Sequence, residues 1–196
     1  MTSTNPVNEN LVQVLQQFSH QYIHHYQQNN NHLPMVEQDE QWPSPCEVKD
    51  VHHDALLEGS VFWQPVNIND TPALSFDNVE SALALTLHPD IKTYFTTLYS
   101  ESIDASCKEG RLSLLFAWNK SDFQRLQENI IGHILMKQRL KQQETIFFGV
   151  TDEEDMIIAI NNDTGAVWVE RVGCEPHKKL ADSLAAFICE LTPIAD

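Results

Sequence analysis

The sequence predicts an α+β fold in which a central, mostly antiparallel sheet is flanked by helices. Several segments repeat apolar residues at spacings of three and four, which indicates amphipathic helices, while others alternate apolar and polar residues between turn signals, which indicates strands. The chain has 196 residues, of which 42% are apolar. A chain of this size can bury one sufficient core, so we expect a single domain over residues 1–196.

The first element is an amphipathic helix from residue 6 to about residue 28. Asn5 is placed to cap it, and Pro6 suits a first turn, where a missing N–H costs little. The Asn-rich residues 29–31 are expected to end it. Its apolar stripe consists of Leu11, Leu15, Phe18, Tyr22 and Tyr26.

Residues 33–60 contain several prolines and acids and predict an ordered loop. A strand follows over residues 57–66, which Pro65 ends or holds at a sheet edge. Residues 76–87 return to helical spacing, and Pro89 breaks or restarts the helix. Residues 91–99 are rich in aromatic and β-branched side chains, so that a short helix and an extended segment both remain open.

The second half predicts a buried strand over residues 111–118 and then a long helix capped by Asn119. Its last turns carry Lys137, Arg139 and Lys141, which complement the negative pole of the helix.

A hairpin is predicted from residues 145–151 and 156–160, joined by the acidic turn 152–155. A further strand over residues 166–170 and a final helix over residues 176–191 complete the order of elements.

The net charge of −16 is unevenly distributed, since residues 1–91 hold twelve Asp or Glu and one base, Lys49. Proteins bind nucleic acids and anionic lipid surfaces through Lys and Arg side chains, which this half of the chain lacks. Neither is therefore expected as a direct ligand. A basic partner is favoured, although acidic surfaces also serve solubility alone. No apolar run is long enough for a membrane span, and residues 1–10 lack the features of a signal peptide. We expect a cytosolic protein.

The search for catalytic chemistry finds few candidates. Four widely spaced cysteines predict free thiols rather than a zinc site or a disulfide framework. Cys46 with His88 or His133 would be a nucleophile and a base, but packing is the favoured interpretation of Cys46, and a core or hydrogen-bonded histidine is the favoured interpretation of His133. The turn at residues 152–155 lacks the ligand pattern of a calcium loop, and the helical pair His20 and His24 lacks further ligands. We therefore expect a non-enzymatic protein without a metal or cofactor.

Several short motifs, in their order and spacing, resemble one known family over nearly the whole chain: the Syd family of SecY-interacting proteins. The residues that carry the resemblance are Pro43-Ser44-Pro45-Cys46, Phe62-Trp63-Gln64-Pro65, Phe95-Thr96-Thr97, Trp118, Asp122-Phe123, Gln127 to His133, Lys137 to Lys141 and Asn162-Asp163-Thr164-Gly165.

The resemblance implies a SUKH-type α+β fold and a peripheral protein on the cytoplasmic face of the cell inner membrane. Such a protein would dock on the SecY translocation channel through an acidic concave surface and check that the channel complex is properly assembled. The charge agrees with this expectation, because cytosolic loops of membrane proteins are rich in Lys and Arg. Membrane association would then occur only through the protein partner.

The carboxylates expected at the docking surface lie in or beside the family-like segments. The primary candidates are Glu80, Asp122 and Glu128, the secondary ones are Asp77, Asp90 and Glu101, and the aromatic candidates are Trp63 and Tyr94. The carboxylates would alternatively cap or solvate helices, and the aromatic residues would alternatively pack in the core. Two rival functions remain: an immunity protein of the SUKH type that neutralises a basic toxin, and an enzyme of unknown chemistry.

Overall fold

The computed structural model describes residues 6–49 and 53–195. The helices are α1 (Pro6–Asn30), α2 (Asp77–Leu83), α3 (Pro89–Thr97), α4 (Lys120–Arg139) and α5 (Leu184–Cys189). The strands of the first half are β1 (Met35–Glu37), β2 (Glu47–Val48), β3 (Ser60–Trp63), β4 (Val66–Asn67) and β5 (Leu98–Tyr99). Those of the second half are β6 (Ile103–Cys107), β7 (Gly110–Leu114), β8 (Thr145–Thr151), β9 (Met156–Asn161), β10 (Val167–Arg171), β11 (Lys178–Ala181) and β12 (Thr192–Pro193).

The centre of the molecule is a seven-stranded sheet in the order β11-β10-β9-β8-β7-β6-β12. Every neighbouring pair in it is antiparallel. The predicted α+β fold is therefore confirmed. That residues 1–196 form one domain stays a prediction.

Helices cover both faces of this sheet, as two neighbouring residues of β8 show. The ring of Phe147 lies 5.5 Å from that of His133 on α4. The ring of Phe148 lies 5.4 Å from Tyr94 on α3 and 5.9 Å from Phe187 on α5. Because successive strand residues point to opposite faces, α4 lies on one side and α3 and α5 lie on the other.

Residues 33–60 are more regular than the predicted loop. They contribute to a small second sheet in the order β1-β3-β2, in which β3 is central. The predicted strand over residues 57–66 is correspondingly shorter and ends at Trp63, two residues before Pro65. The Trp63 N–H donates to the carbonyl of Pro34 at 3.0 Å, and pairing of this kind over long sequence separations leaves no local pattern.

The predicted helix over residues 76–87 stops early, at Leu83. Ala84 adopts the left-handed conformation with a φ of 48° and donates its N–H to the carbonyl of Glu80. Pro89 then starts α3, where His88 caps the first turn. For residues 91–99 the sequence left both a helix and an extended segment open. The segment is helical to Thr97 and extended at β5.

The predicted final helix over residues 176–191 is wrong in its first half. Residues 178–181 form edge strand β11, which pairs with β10. The helix that follows has only six residues and begins at the cap Ser183, whose Oγ accepts from the Ala186 N–H at 3.2 Å. The sequence also missed β6 and β12, and the strand predicted over residues 111–118 is shortened to β7.

The remaining elements follow the sequence closely. Helix α1 runs to Asn30, and Asn31 leaves it with a φ of 61°. Asn119 caps α4 by accepting the Asp122 N–H at 2.9 Å. Strands β8 and β9 pair as the predicted hairpin, with Asp155 at a φ of 64° in the turn. The predicted cap Asn5 lies outside the described residues.

Candidate functional site

Glu80, one of the primary candidates, is engaged in hydrogen bonds within the protein. Its Oε1 lies 2.8 Å from Lys92 Nζ and accepts the Leu87 N–H at 2.8 Å. The hydrogen bond from Lys92 holds the pKa of this carboxyl below its usual value. Glu80 therefore joins α2 to α3 and is partly neutralised.

Asp122 is also committed to local structure. Its carboxylate accepts the Trp118 N–H at 2.9 Å, while its own N–H donates to Asn119. The two side chains together satisfy backbone donors at the start of α4, which a helix cannot satisfy internally. Asp122 thus acts as a cap, which was the alternative interpretation of this residue.

Three other candidates lie in the interior, which corrects their assignment to a surface. Asp90 is 3% exposed, Trp63 is 3% exposed and Tyr94 is fully buried. Burial raises the pKa of the Asp90 carboxyl. Their spacing on helix and strand suits a core position as well as a surface one, and the sequence alone did not distinguish the two.

The two aromatic residues are parts of the core packing. Trp63 stacks on Tyr22 at 5.9 Å between ring centroids and meets Trp118 edge to face at 6.2 Å. Tyr94 stacks on Phe116 at 5.0 Å. Both side chains hold neighbouring elements of the core together.

Asp77 and Glu128 remain exposed, and the structure brings their helices together. Asn78 Nδ2 donates to Gln127 Oε1 at 3.1 Å, and Gln127 Nε2 donates to the carbonyl of Ser75 at 2.7 Å. These bonds tie the first turn of α2 to the middle of α4. Within the part of the chain that the structure describes, neither Asp77 nor Glu128 enters an ion pair.

A second acidic group includes Glu101, which was predicted, and Asp104, which was not. Glu101 Oε1 accepts the Ser102 N–H at 3.1 Å, and Asp104 accepts from Ser113 Oγ. Burial is the main cause that raises the pKa of the Tyr22 phenol, and the negative charges of Asp104 and Glu101 raise it further. Asp104 is exposed on β6, a strand that sequence patterning did not reveal.

A buried ion pair was likewise missed by the sequence. Lys137, which was predicted to complement the negative pole of α4, is fully buried, as is Glu170 on β10. Lys137 Nζ lies 3.3 Å from Glu170 Oε2, and Thr145 Oγ1 donates to Glu170 Oε1 at 2.9 Å. Lys137 therefore fastens α4 to the sheet instead of complementing the helix end.

Cys46 has the environment of a structural thiol. Its side chain is fully buried, and burial raises the pKa of the thiol to about 11. An activated cysteine shows the opposite shift. The two histidines considered as bases are engaged elsewhere: His88 Nδ1 accepts the Asp90 N–H at 3.2 Å, and His133 Nε2 lies 3.1 Å from Thr145 Oγ1.

Two features are absent from the described residues. Residues 6–49 and 53–195 contain no group of three or more His, Cys, Asp or Glu side chains arranged to hold a metal ion. Over the same ranges, no helix has both the length and the apolar character needed to cross a membrane.

Comparison with known proteins gives consistent matches over nearly the full length. The Syd protein (SUKH-2) family matches residues 12–193. Protein Syd of Colwellia psychrerythraea is 58% identical over 199 residues, covering 98% of this chain and 96% of that protein. Protein Syd of Alteromonas mediterranea is 49% identical over 156 residues, and that of Pseudoalteromonas atlantica is 45% identical over 158 residues; each alignment covers 83% of the relative and 80% or 81% of this chain. The chain therefore belongs to the Syd family.

Proposed function

We propose that this protein binds the cytosolic face of the SecY translocation channel through an acidic surface, and that it monitors or regulates the proper assembly of the channel complex. Membership of the Syd family over residues 12–193 is the observation that carries the proposal. In this account the protein is not an enzyme, and it reaches the inner membrane peripherally, through its protein partner.

The distribution of charge supports a basic partner. The net charge is −16, and Lys49, the single base among residues 1–91, lies 3.4 Å from Glu47. Cytosolic loops of membrane proteins carry an excess of Lys and Arg. Attraction between such loops and the acidic surface would speed encounter and weaken as salt rises.

Among the candidates, the exposed carboxylates of Asp77 and Glu128 and the half-buried carboxylate of Glu101 are proposed to make the direct contacts. Asp77 and Glu128 form one group beside the α2–α4 junction, and Glu101 belongs to a second group with Asp104. Glu80 and Asp122 are proposed to shape this surface through their own hydrogen bonds rather than to pair with the partner.

The test is capture of detergent-solubilised SecY complex by the tagged protein at about 0.1 M and about 1 M salt, where screening lengths are near 10 Å and 3 Å. We expect capture that weakens with salt and that is lost when Asp77→Lys and Glu128→Lys are combined.

The matched control is Glu37→Lys combined with Glu40→Lys. Both residues are exposed, and the total charge changes by the same amount. If net charge alone governed binding, the two pairs of substitutions would have equal effects. Failure of the wild-type protein to capture the channel at any salt would overturn the proposal.

A further inference from the structure

The outer face of α4 carries a stripe of four exposed residues. They follow one another at spacings of four, three and four, so they lie along one line of the helix surface. The helix packs on the protein through its opposite side, where Phe123, Ile130 and Ile134 are buried. The stripe consists of Glu128, Gly132, Leu135 and Arg139.

The two central members of the stripe form a gap and a projection. Gly132 lies inside the helix, where glycine is less favourable than alanine. Among the described residues, a Cβ at this position would meet no neighbouring group within 4 Å, so the packing of the protein itself does not require glycine here. Leu135, about one turn further along, is 50% exposed. The face therefore presents an open space beside an apolar side chain.

The two ends of the stripe carry opposite charges. Glu128 and Arg139 are exposed, and neither enters an ion pair within residues 6–49 and 53–195. Arg125, three residues before Glu128, lies over the ring of Trp42 at 4.2 Å and is thus engaged within the protein. Arg139 is therefore the cation that this stripe offers to a second molecule.

The stripe is complementary to itself when its direction is reversed. If two α4 helices pair antiparallel about the midpoint between residues 133 and 134, Glu128 lies opposite Arg139 of the second copy. The same pairing places Leu135 opposite Gly132, where the missing side chain leaves room. Alternating spacings of four and three are those of a coiled-coil seam. Each contact occurs twice, as in the identical surfaces of a two-fold dimer.

We propose that this protein forms a two-fold symmetric dimer through the outer face of α4. Leu135 of each copy packs over Gly132 of the other, and an ion pair between Glu128 and Arg139 closes each end. One helix face is a small interface with exposed ion pairs, so the dimer is weak and depends on protein concentration. The dimer covers Glu128, which belongs to the surface proposed to contact the channel, so self-association and channel binding exclude each other. Only this competition rests on the proposed function.

Sedimentation equilibrium of the protein alone tests the dimer. It is measured from about 10 μM to about 1 mM protein at about 0.15 M salt, where a screening length near 8 Å limits repulsion between the two acidic copies. We expect the wild-type protein to shift from monomer toward dimer over this range. Glu128→Arg and Arg139→Glu are each expected to weaken association about 100-fold or more, because each change places like charges opposite each other twice.

An equimolar mixture of these two single variants separates lost pairing from misfolding. In the mixed dimer one copy carries Arg at positions 128 and 139 and the other carries Glu at both, so two ion pairs form again. We expect the mixture to associate about as strongly as the wild-type protein, which a misfolded variant would not do. Glu128→Arg combined with Arg139→Glu leaves the net charge unchanged and is expected to restore the dimer as well.

Gly132→Leu tests the gap at the centre of the stripe. The added side chain occupies the space proposed for Leu135 of the second copy, so the dimer is expected to be lost. Because the position is open and leucine favours a helix over glycine, the thermal midpoint followed by circular dichroism is expected to be equal or higher. A folded Gly132→Leu variant that dimerises like the wild-type protein would contradict this packing.

The dimer and the proposed function fail in different ways. Wild-type protein that stays monomeric up to about 1 mM, or a mixture that associates no more strongly than its components, would overturn the dimer and leave capture of the channel unaffected. If the protein dimerises as described but does not capture the channel at any salt, the proposed function is overturned and the dimer stands.

Discussion

Replacing Lys137 by Met is expected to destabilise the fold by about 3–5 kcal/mol, because it leaves the Glu170 carboxylate buried without its cation. Both side chains are fully buried. Lys137 Nζ also donates to the carbonyl of Cys174 at 2.6 Å, so a second, partly buried acceptor loses this donor. Two side chains remain beside Glu170: Thr145 donates to its Oε1, and His133 Nε2 lies 3.5 Å from the same oxygen. A hydroxyl and a neutral imidazole do not compensate a full buried charge.

Urea denaturation followed by circular dichroism measures the effect. Lys137→Met combined with Glu170→Gln removes both charges while keeping an acceptor for Thr145, and we expect it to recover much of the loss. Lys179→Met is the matched control, since Lys179 pairs with Asp182 at the surface at 2.5 Å, where ion pairs contribute little.

A loss below about 1 kcal/mol for Lys137→Met would refute this reasoning. It would show that water or a rearranged side chain reaches Glu170. Equal losses for Lys137→Met and Lys179→Met would contradict it as well.

Three further outcomes follow from the buried and paired groups. Tyr94→Phe removes a buried hydroxyl that has no hydrogen-bond partner among the residues that the structure describes, so thermal denaturation is expected to show unchanged stability or a gain of up to about 1–2 kcal/mol; a clear loss would contradict this. Glu80→Gln is expected to lower stability at neutral pH. Because the pKa of Glu80 is lowered by Lys92, its contribution is present above the ordinary value of 4.5 and is lost as the pH falls through the lowered pKa, so denaturation curves of the two proteins should converge in acid and not at pH 7. Since burial raises the pKa of Cys46 to about 11, its alkylation at neutral pH should be slow in the native protein and fast after unfolding; equal rates would contradict its burial.

Sequence periodicity predicted an element correctly where the apolar pattern and the cap or turn residues all lie within that element. Helix α4 has a long apolar stripe and the cap Asn119, and the β8–β9 hairpin has apolar runs around an acidic turn. The error over residues 176–191 arose because Leu180 and Leu184 fit a helical stripe, whereas pairing with β10 draws residues 178–181 into the sheet edge. Pairing with a distant strand leaves no trace in the local spacing.

The candidate site was predicted less completely, for a related reason. Whether a carboxylate is available to a partner depends on which distant group it meets. Glu80 meets Lys92 across two helices, and Asp90 is covered by the core, while Asp77 and Glu128 stay exposed. Composition predicted that the surface charge is negative, but only the packing shows which acidic side chains remain on the surface.

The most direct measurement is the dissociation constant between the wild-type protein and purified SecY complex in nanodiscs of neutral lipid, as a function of salt. The account predicts specific binding that weakens steadily from about 0.1 M to about 1 M salt, because salt screens the attraction between the acidic surface and the basic loops. An absence of binding at all salts, or binding that strengthens with salt, would contradict the central claim.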